Sequence, residues 1–167
     1  MVVKKKPGFT LVEMLIVISV LGILAALVYP YVAVGKEEAQ ASAASSTLES
    51  LRKQISLYHA ERGAFPTGIP NDWFAGGKKP TNPFSGEQVA TVEVETSKDA
   101  ARTEPADKIV TAGTPPIWYN PANGAVRMRV NSQKTAAETV ALYNRINGSQ
   151  ISALNQSGAA NQPQQGQ

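Results

Sequence analysis

A chain of 167 residues suits one domain with an appendage and is too short for two full domains. It has no cysteine, which excludes disulfide, zinc-thiolate and thiol chemistry. The net charge of +3 does not mark a nucleic-acid binder: Lys4, Lys5 and Lys6 hold three of the 16 basic residues, and the remaining 13 balance 13 acidic ones.

Directly after those lysines comes an apolar run of 26 residues, Phe9 to Val34, interrupted only by Thr10, Glu13, Ser19, Gly22 and Pro30. As a helix it spans roughly 39 Å at about 1.5 Å per residue, more than the roughly 30 Å of bilayer hydrocarbon. The lysines fit the cytoplasmic flank of a membrane helix under the positive-inside rule. A secretory signal peptide shares this outline, but its apolar core is only about 7–15 residues and ends at a small-residue cleavage site. No such site is evident where the run continues as "VYPYVAVGKEE". An uncleaved signal anchor remains open on these residues.

Glu13 lies inside the run. A charge at the bilayer centre costs roughly 2.5–3.5 kcal/mol on insertion scales, and intramembrane carboxylates are functional by default. The bland alternative is a carboxylate near the boundary that snorkels to the cytoplasmic headgroups. Pro30 lacks an amide proton, so the Ala26 carbonyl loses its helical partner and a bend is expected. Gly22 is a second weak point, costing about 1 kcal/mol in a helix interior. An ordinary kink and a stretch "GILAALVYP" able to loosen fit equally well.

The segment "KKKPGFTLVEMLIVISVLGILAALVYP" resembles the N-terminal signature of type IV pilins and of the pseudopilins of type II secretion, over about 25 of the 167 residues. The resemblance implies a leader ending at Gly8, cut by a prepilin peptidase, with Phe9 as the new, N-methylated terminus. It places the family's assembly carboxylate at Glu13 and its frequent Gly and Pro at Gly22 and Pro30. It further implies that Glu13 pairs with the terminal amine of a neighbouring subunit and fixes its axial register. The chemistry is reasonable: Glu13 is one helical turn from Phe9, and each charge alone is costly in hydrocarbon while a pair offsets.

Beyond Gly35, Ala41, Ala44, Leu48, Leu51, Ile55 and Tyr58 recur at spacings of three and four, an apolar stripe that continues the helix to about Arg62. Gly63 is its expected C-cap, with Pro66 following. The stretch from Gly63 to Glu87 is rich in Gly and Pro but carries Phe65, Trp73, Phe74 and Phe84, which predicts an ordered loop over the helix. "VATVEVE" alternates as a strand, then "SKDAARTEPADK" is a charged excursion. "PIWY", the turn "NPANG" and "AVRMRV" form a hairpin. Thr135 and Glu138 form a capping box that opens a short helix closed by Gly148. "NQSGAANQPQQGQ" is uncharged and glutamine-rich, and reads as a disordered tail.

The expected fold is α+β: a helix with a membrane-embedded first half, and a small antiparallel sheet packed on its second half. The parts are a leader 1–8, a transmembrane and assembly helix 9–34, a pilin-like domain 35–154 and a tail 155–167. No catalytic constellation, cofactor site or phosphate-cradling loop is evident. His59, the only histidine, is expected to serve the helix C-terminus. Glu87, Glu93, Glu95, Asp99 and Asp107 have no calcium-loop spacing and read as a solvated face, as do Arg127 and Arg129.

What the resemblance implies is a structural subunit, not an enzyme. It is a single-pass protein of the bacterial inner membrane, N-terminus cytoplasmic and domain periplasmic, assembled into a filament. Its implied partners are other pilin-like subunits, the prepilin peptidase, an inner-membrane assembly platform and the membrane, with no nucleic acid. The absence of the C-terminal disulfide typical of many type IV pilins favours a type II secretion pseudopilin. A type IV or DNA-uptake pilin is the alternative, and a monomeric anchored periplasmic binding protein the more distant one.

Overall fold

The computed structural model describes residues 9–78, 82–84, 92–111 and 113–156, with only the backbone at 29–34 and 75. The chain divides into two units, Met1–Ala39 and Gln40–Gln167. A 52-residue helix, α1, runs Leu11–Arg62 and contributes to both. It ends where the sequence places its cap: Gly63 has φ +70°, and its amide donates to the His59 carbonyl at 2.8 Å.

In the second unit the stripe on α1 is the core. Ala41, Ala44, Leu48, Leu51 and Ile55 are buried, and Tyr58 is half-buried. Against them pack Ile117 and Tyr119 of β2 (Ile117–Asn120), and Val126 and Met128 of β3 (Ala125–Met128). Leu142, Tyr143 and Ile146 of α2 (Ala136–Asn147) complete the cluster. Phe74 is buried in it, and Phe65, Trp73 and Phe84 pack on it half-buried, so the aromatic loop does cover the spine. α2 opens with the expected capping box, Thr135 with Glu138, and closes at Gly148 in the left-handed conformation. In the β2–β3 turn, Gly124 has φ +73°, and a Cβ there would collide with the Phe65 ring.

The sheet is mixed, not antiparallel throughout. β2 and β3 form the expected hairpin, but β1 (Glu93–Val94) runs parallel to β2, with Glu93 opposite Trp118. The reason is the connection. A hairpin needs a short turn, whereas β1 reaches β2 only through the long charged excursion, which crosses over before returning. Residues 89–91 of the expected first strand lie outside the described residues.

That excursion overturns the solvated-face reading for Arg127, Arg129 and Glu95, while Asp99 and Asp107 are exposed and Glu93 is partly so. Arg129 is buried and pairs with Glu93 at 2.6 Å; Arg127 pairs with Glu104 at 2.8 Å, and Arg102 with Glu95 at 3.1 Å. Alternation correctly puts Arg127 and Arg129 on one face, but alternation cannot tell whether a face is later covered. Here residues 95–108 cover it.

Candidate functional site

Within the first unit, the described stretch 9–28 is apolar and carries one carboxylate, Glu13, near its start. From Leu11 to Val28 its mean hydropathy is 2.8 and none of it is buried within the chain, so by length and composition it is able to cross a membrane. Phe9, Leu11 and Val12 are strongly exposed. The helix continues through Gly22 and Pro30. A Cβ at Gly22 would meet nothing within 4 Å, so no packing inside the chain requires glycine there.

Glu13 is engaged by its own helix terminus. Its Oε2 accepts from the Thr10 amide and from the Thr10 hydroxyl, each at 2.9 Å, while the Glu13 amide donates back to Thr10 Oγ1 at 3.3 Å. This is a capping box with Thr10 as N-cap and Glu13 at the third helical position. It satisfies two donors that the first turn leaves orphaned, and it sets a negative charge at the positive end of the helix dipole. Every atom of it lies after Phe9, so a cut between Gly8 and Phe9 would leave it intact. Gly8 and the flank Lys4, Lys5 and Lys6 lie outside the described residues.

Thr10 is the residue that sequence reasoning missed. The signal was present: "TLVE" has the same Ser/Thr-x-x-Glu pattern that located the start of α2 at Thr135. Within an apolar run, that threonine differs little in composition from an interruption such as Ser19.

The remaining candidates do not converge on a site. His59 stacks on Phe65, ring centroids 4.1 Å apart. Glu93, Glu95 and Glu104 are taken by arginines, and among the described residues no group of three acidic or histidine side chains could hold a metal ion. Glu87 lies outside the described residues.

An exposed apolar helix that opens on a Thr–Glu box, joined to a small α+β unit, is consistent with a pilin-type architecture. Residues 3–29 match the family model of the prokaryotic N-terminal methylation motif. The chain therefore carries a prepilin-type N-terminal methylation motif. It is similar to the type II secretion system core protein G of Dickeya chrysanthemi, 38% identical over 80 residues, 48% of this chain and 52% of that protein. The core protein G of Vibrio cholerae is 35% identical over 80 residues, 48% and 54% respectively. A type IV major pilin protein PilE1 of Neisseria gonorrhoeae is 29% identical over 133 residues, 78% and 72%. The matched region is about half the length of the core protein G relatives. No solved structure matches the chain.

Proposed function

We propose that this chain is a structural subunit of a type II secretion pseudopilus, cut between Gly8 and Phe9, N-methylated on Phe9, and assembled through Glu13. The observation that carries it is the Thr10–Glu13 box at the head of the exposed apolar segment Leu11–Val28, inside a methylation motif. Oε2 of Glu13 takes both bonds from Thr10. The other oxygen accepts nothing from the described residues and is available to the amine of an adjacent subunit. The chain sits in the inner membrane with the lysine flank cytoplasmic and residues 35–154 periplasmic. It works by filling a lattice with other pilin-like subunits on an assembly platform, not by catalysis. Gly22 and Pro30 let the helix bend where it enters that lattice.

The second reading, a type IV pilin, draws on the PilE1 relative, whose match takes in 78% of this chain against 48% for core protein G. Deleting the gene separates the two: loss of secreted enzymes from the medium favours the pseudopilus, loss of surface fibres the pilus.

The processing and assembly reading is tested with Gly8→Val and Glu13→Ala. Mass spectrometry of the wild-type chain should give an N-terminus at a methylated Phe9, and Gly8→Val should retain the leader. Glu13→Ala should reach normal membrane levels yet fail to crosslink into filaments. A pure anchor would lose nothing, since removing a charge from lipid favours insertion.

A further inference from the structure

We propose that residues 96–107 form a hinged strap, which opens as a unit while the helix-packed core stays folded, and whose closed position buries Trp118. The inference concerns the second unit alone and does not depend on filament assembly.

The path of the chain defines the strap. Before it, the Glu95 amide donates to the Tyr119 carbonyl at 2.8 Å, at the β1–β2 seam. After it, the Lys108 carbonyl accepts from the Val130 amide at 2.9 Å, and Ile109 bridges Val130 in parallel. The Arg129 amide faces β2, donating to the Pro116 carbonyl, so the Val130 amide points away from β2, beyond β3. Residues 96–107 thus start at one edge of the sheet and finish at the other. They cross the whole width of one face.

That face is the one turned away from the core. Strand alternation puts Ile117, Tyr119, Val126 and Met128 towards α1 and α2, and Trp118, Asn120, Arg127 and Arg129 on the opposite side. Trp118 is fully buried, yet it does not belong to the apolar cluster that takes in both its neighbours. Something other than the core covers it, and the strap lies there.

The strap is attached by polar contacts. Asn120 Nδ2 donates to the carbonyls of Asp99 at 2.9 Å and Arg102 at 2.8 Å. Asn123 Nδ2 donates to the carbonyls of Ala100 and Arg102, each at 2.9 Å. Arg129 Nε donates to the Asp107 carbonyl at 2.8 Å, and Arg127 Nε to Glu104 Oε1 at 2.8 Å. Of its apolar residues, Ala100, Ala101 and Ala106 are exposed and only Pro105 is buried. None of its residues joins the apolar cluster, and its tie to the helices is polar as well: the Tyr143 hydroxyl of α2 donates to Oε2 of the buried Glu104 at 2.6 Å, a bond that opening must also break.

Opening therefore exchanges hydrogen bonds for water and uncovers little apolar surface besides Trp118, unlike unfolding of the core. Two features of the closed state are relieved when it opens. The Nε of Arg102 is a buried donor with no acceptor among the described residues, and Lys98 holds φ +55°, in the left-handed region.

The test uses the full chain in detergent with Trp73→Phe, which leaves Trp118 as the sole tryptophan. Acrylamide quenching of Trp118 is followed through a urea series, beside hydrogen-exchange protection of the α2 amides. Quenching should rise by about threefold at urea concentrations where α2 is still fully protected, as a sub-global opening requires. Coincident transitions would overturn the proposal. In the same background, Asn123→Ala removes two strap contacts and should raise quenching without denaturant while α2 protection is kept. A fold that keeps α2 protection with wild-type quenching counts against the strap. If the variant loses α2 protection as well, the urea comparison in the Trp73→Phe chain decides.

Discussion

Arg129 is 2% exposed, and its Nη2 lies 2.6 Å from Oε2 of Glu93. The same guanidinium donates to the carbonyls of Asp107 and Pro115, so one side chain joins β1, the end of the crossing segment and the approach to β2. The rigid fork of arginine suits this; a point charge would not. Arg129→Ala leaves two carbonyls and a carboxylate without their donor, and should cost about 3 kcal/mol. Glu93→Gln should cost about 1 kcal/mol or less, because that carboxylate is half-exposed and water replaces the lost contact. Melting followed by tryptophan fluorescence measures both. Equal losses would mean that the ion pair, not the carbonyl contacts, is what Arg129 contributes.

Gly124 is fixed twice, by its φ of +73° and by the Phe65 ring that occupies the place of a Cβ. Gly124→Ala should destabilise by about 2–3 kcal/mol, combining left-handed strain with overpacking. Adding Phe65→Leu should recover part of this by making room. A full recovery would remove backbone strain from the account, and no recovery would remove the clash.

Much of this architecture was legible in the residues because it rests on local rules. The stripe from Ala41 to Ile55, the Gly63 cap, the "NPANG" turn and the Thr135–Glu138 box each follow from spacing within one element. The direction of β1 and the burial of Arg129 do not. They depend on where residues 96–107 travel, and a charged, alanine-containing stretch carries no periodicity that says which face it will cross. At the N-terminus the charge was legible and its partner was not. Glu13 stands out against lipid-like neighbours, whereas a threonine at the edge of an apolar run looks like one more interruption.

Glu95 gives the domain an acid limb. Burial alone would raise its carboxyl, but the backbone and hydroxyl of Ser97, the Arg102 guanidinium and Trp118 together hold it below the usual carboxylate range. A carboxylate with a depressed folded pKa stabilises the fold above its unfolded value of about 4.3, and that contribution is lost as pH falls through the folded value. The urea midpoint should therefore drop below about pH 4. Glu95→Gln should start lower at neutral pH and fall less steeply on acidification. A mutant as acid-sensitive as the wild type would place the acid limb on other groups.

The Thr10–Glu13 box makes a sharper test of assembly than Glu13 alone. Thr10→Val keeps the shape and the charge but removes the hydroxyl that donates to Oε2 of Glu13 and accepts from its amide. The Thr10 amide still reaches Glu13, so the carboxylate is loosened, not lost. A capping interaction is worth about 1 kcal/mol, so filament incorporation should fall by about fivefold, while Glu13→Ala falls further. The two residues act on one group, and the double variant should be no worse than Glu13→Ala, which is strong non-additivity. Crosslinked filaments counted against the membrane fraction supply the measurement, with the membrane fraction expected to stay constant across all three variants. Additive losses would mean that Thr10 serves assembly by some route other than holding Glu13. Full incorporation of Glu13→Ala would end the assembly role of the carboxylate and leave it a snorkelling charge at the membrane boundary.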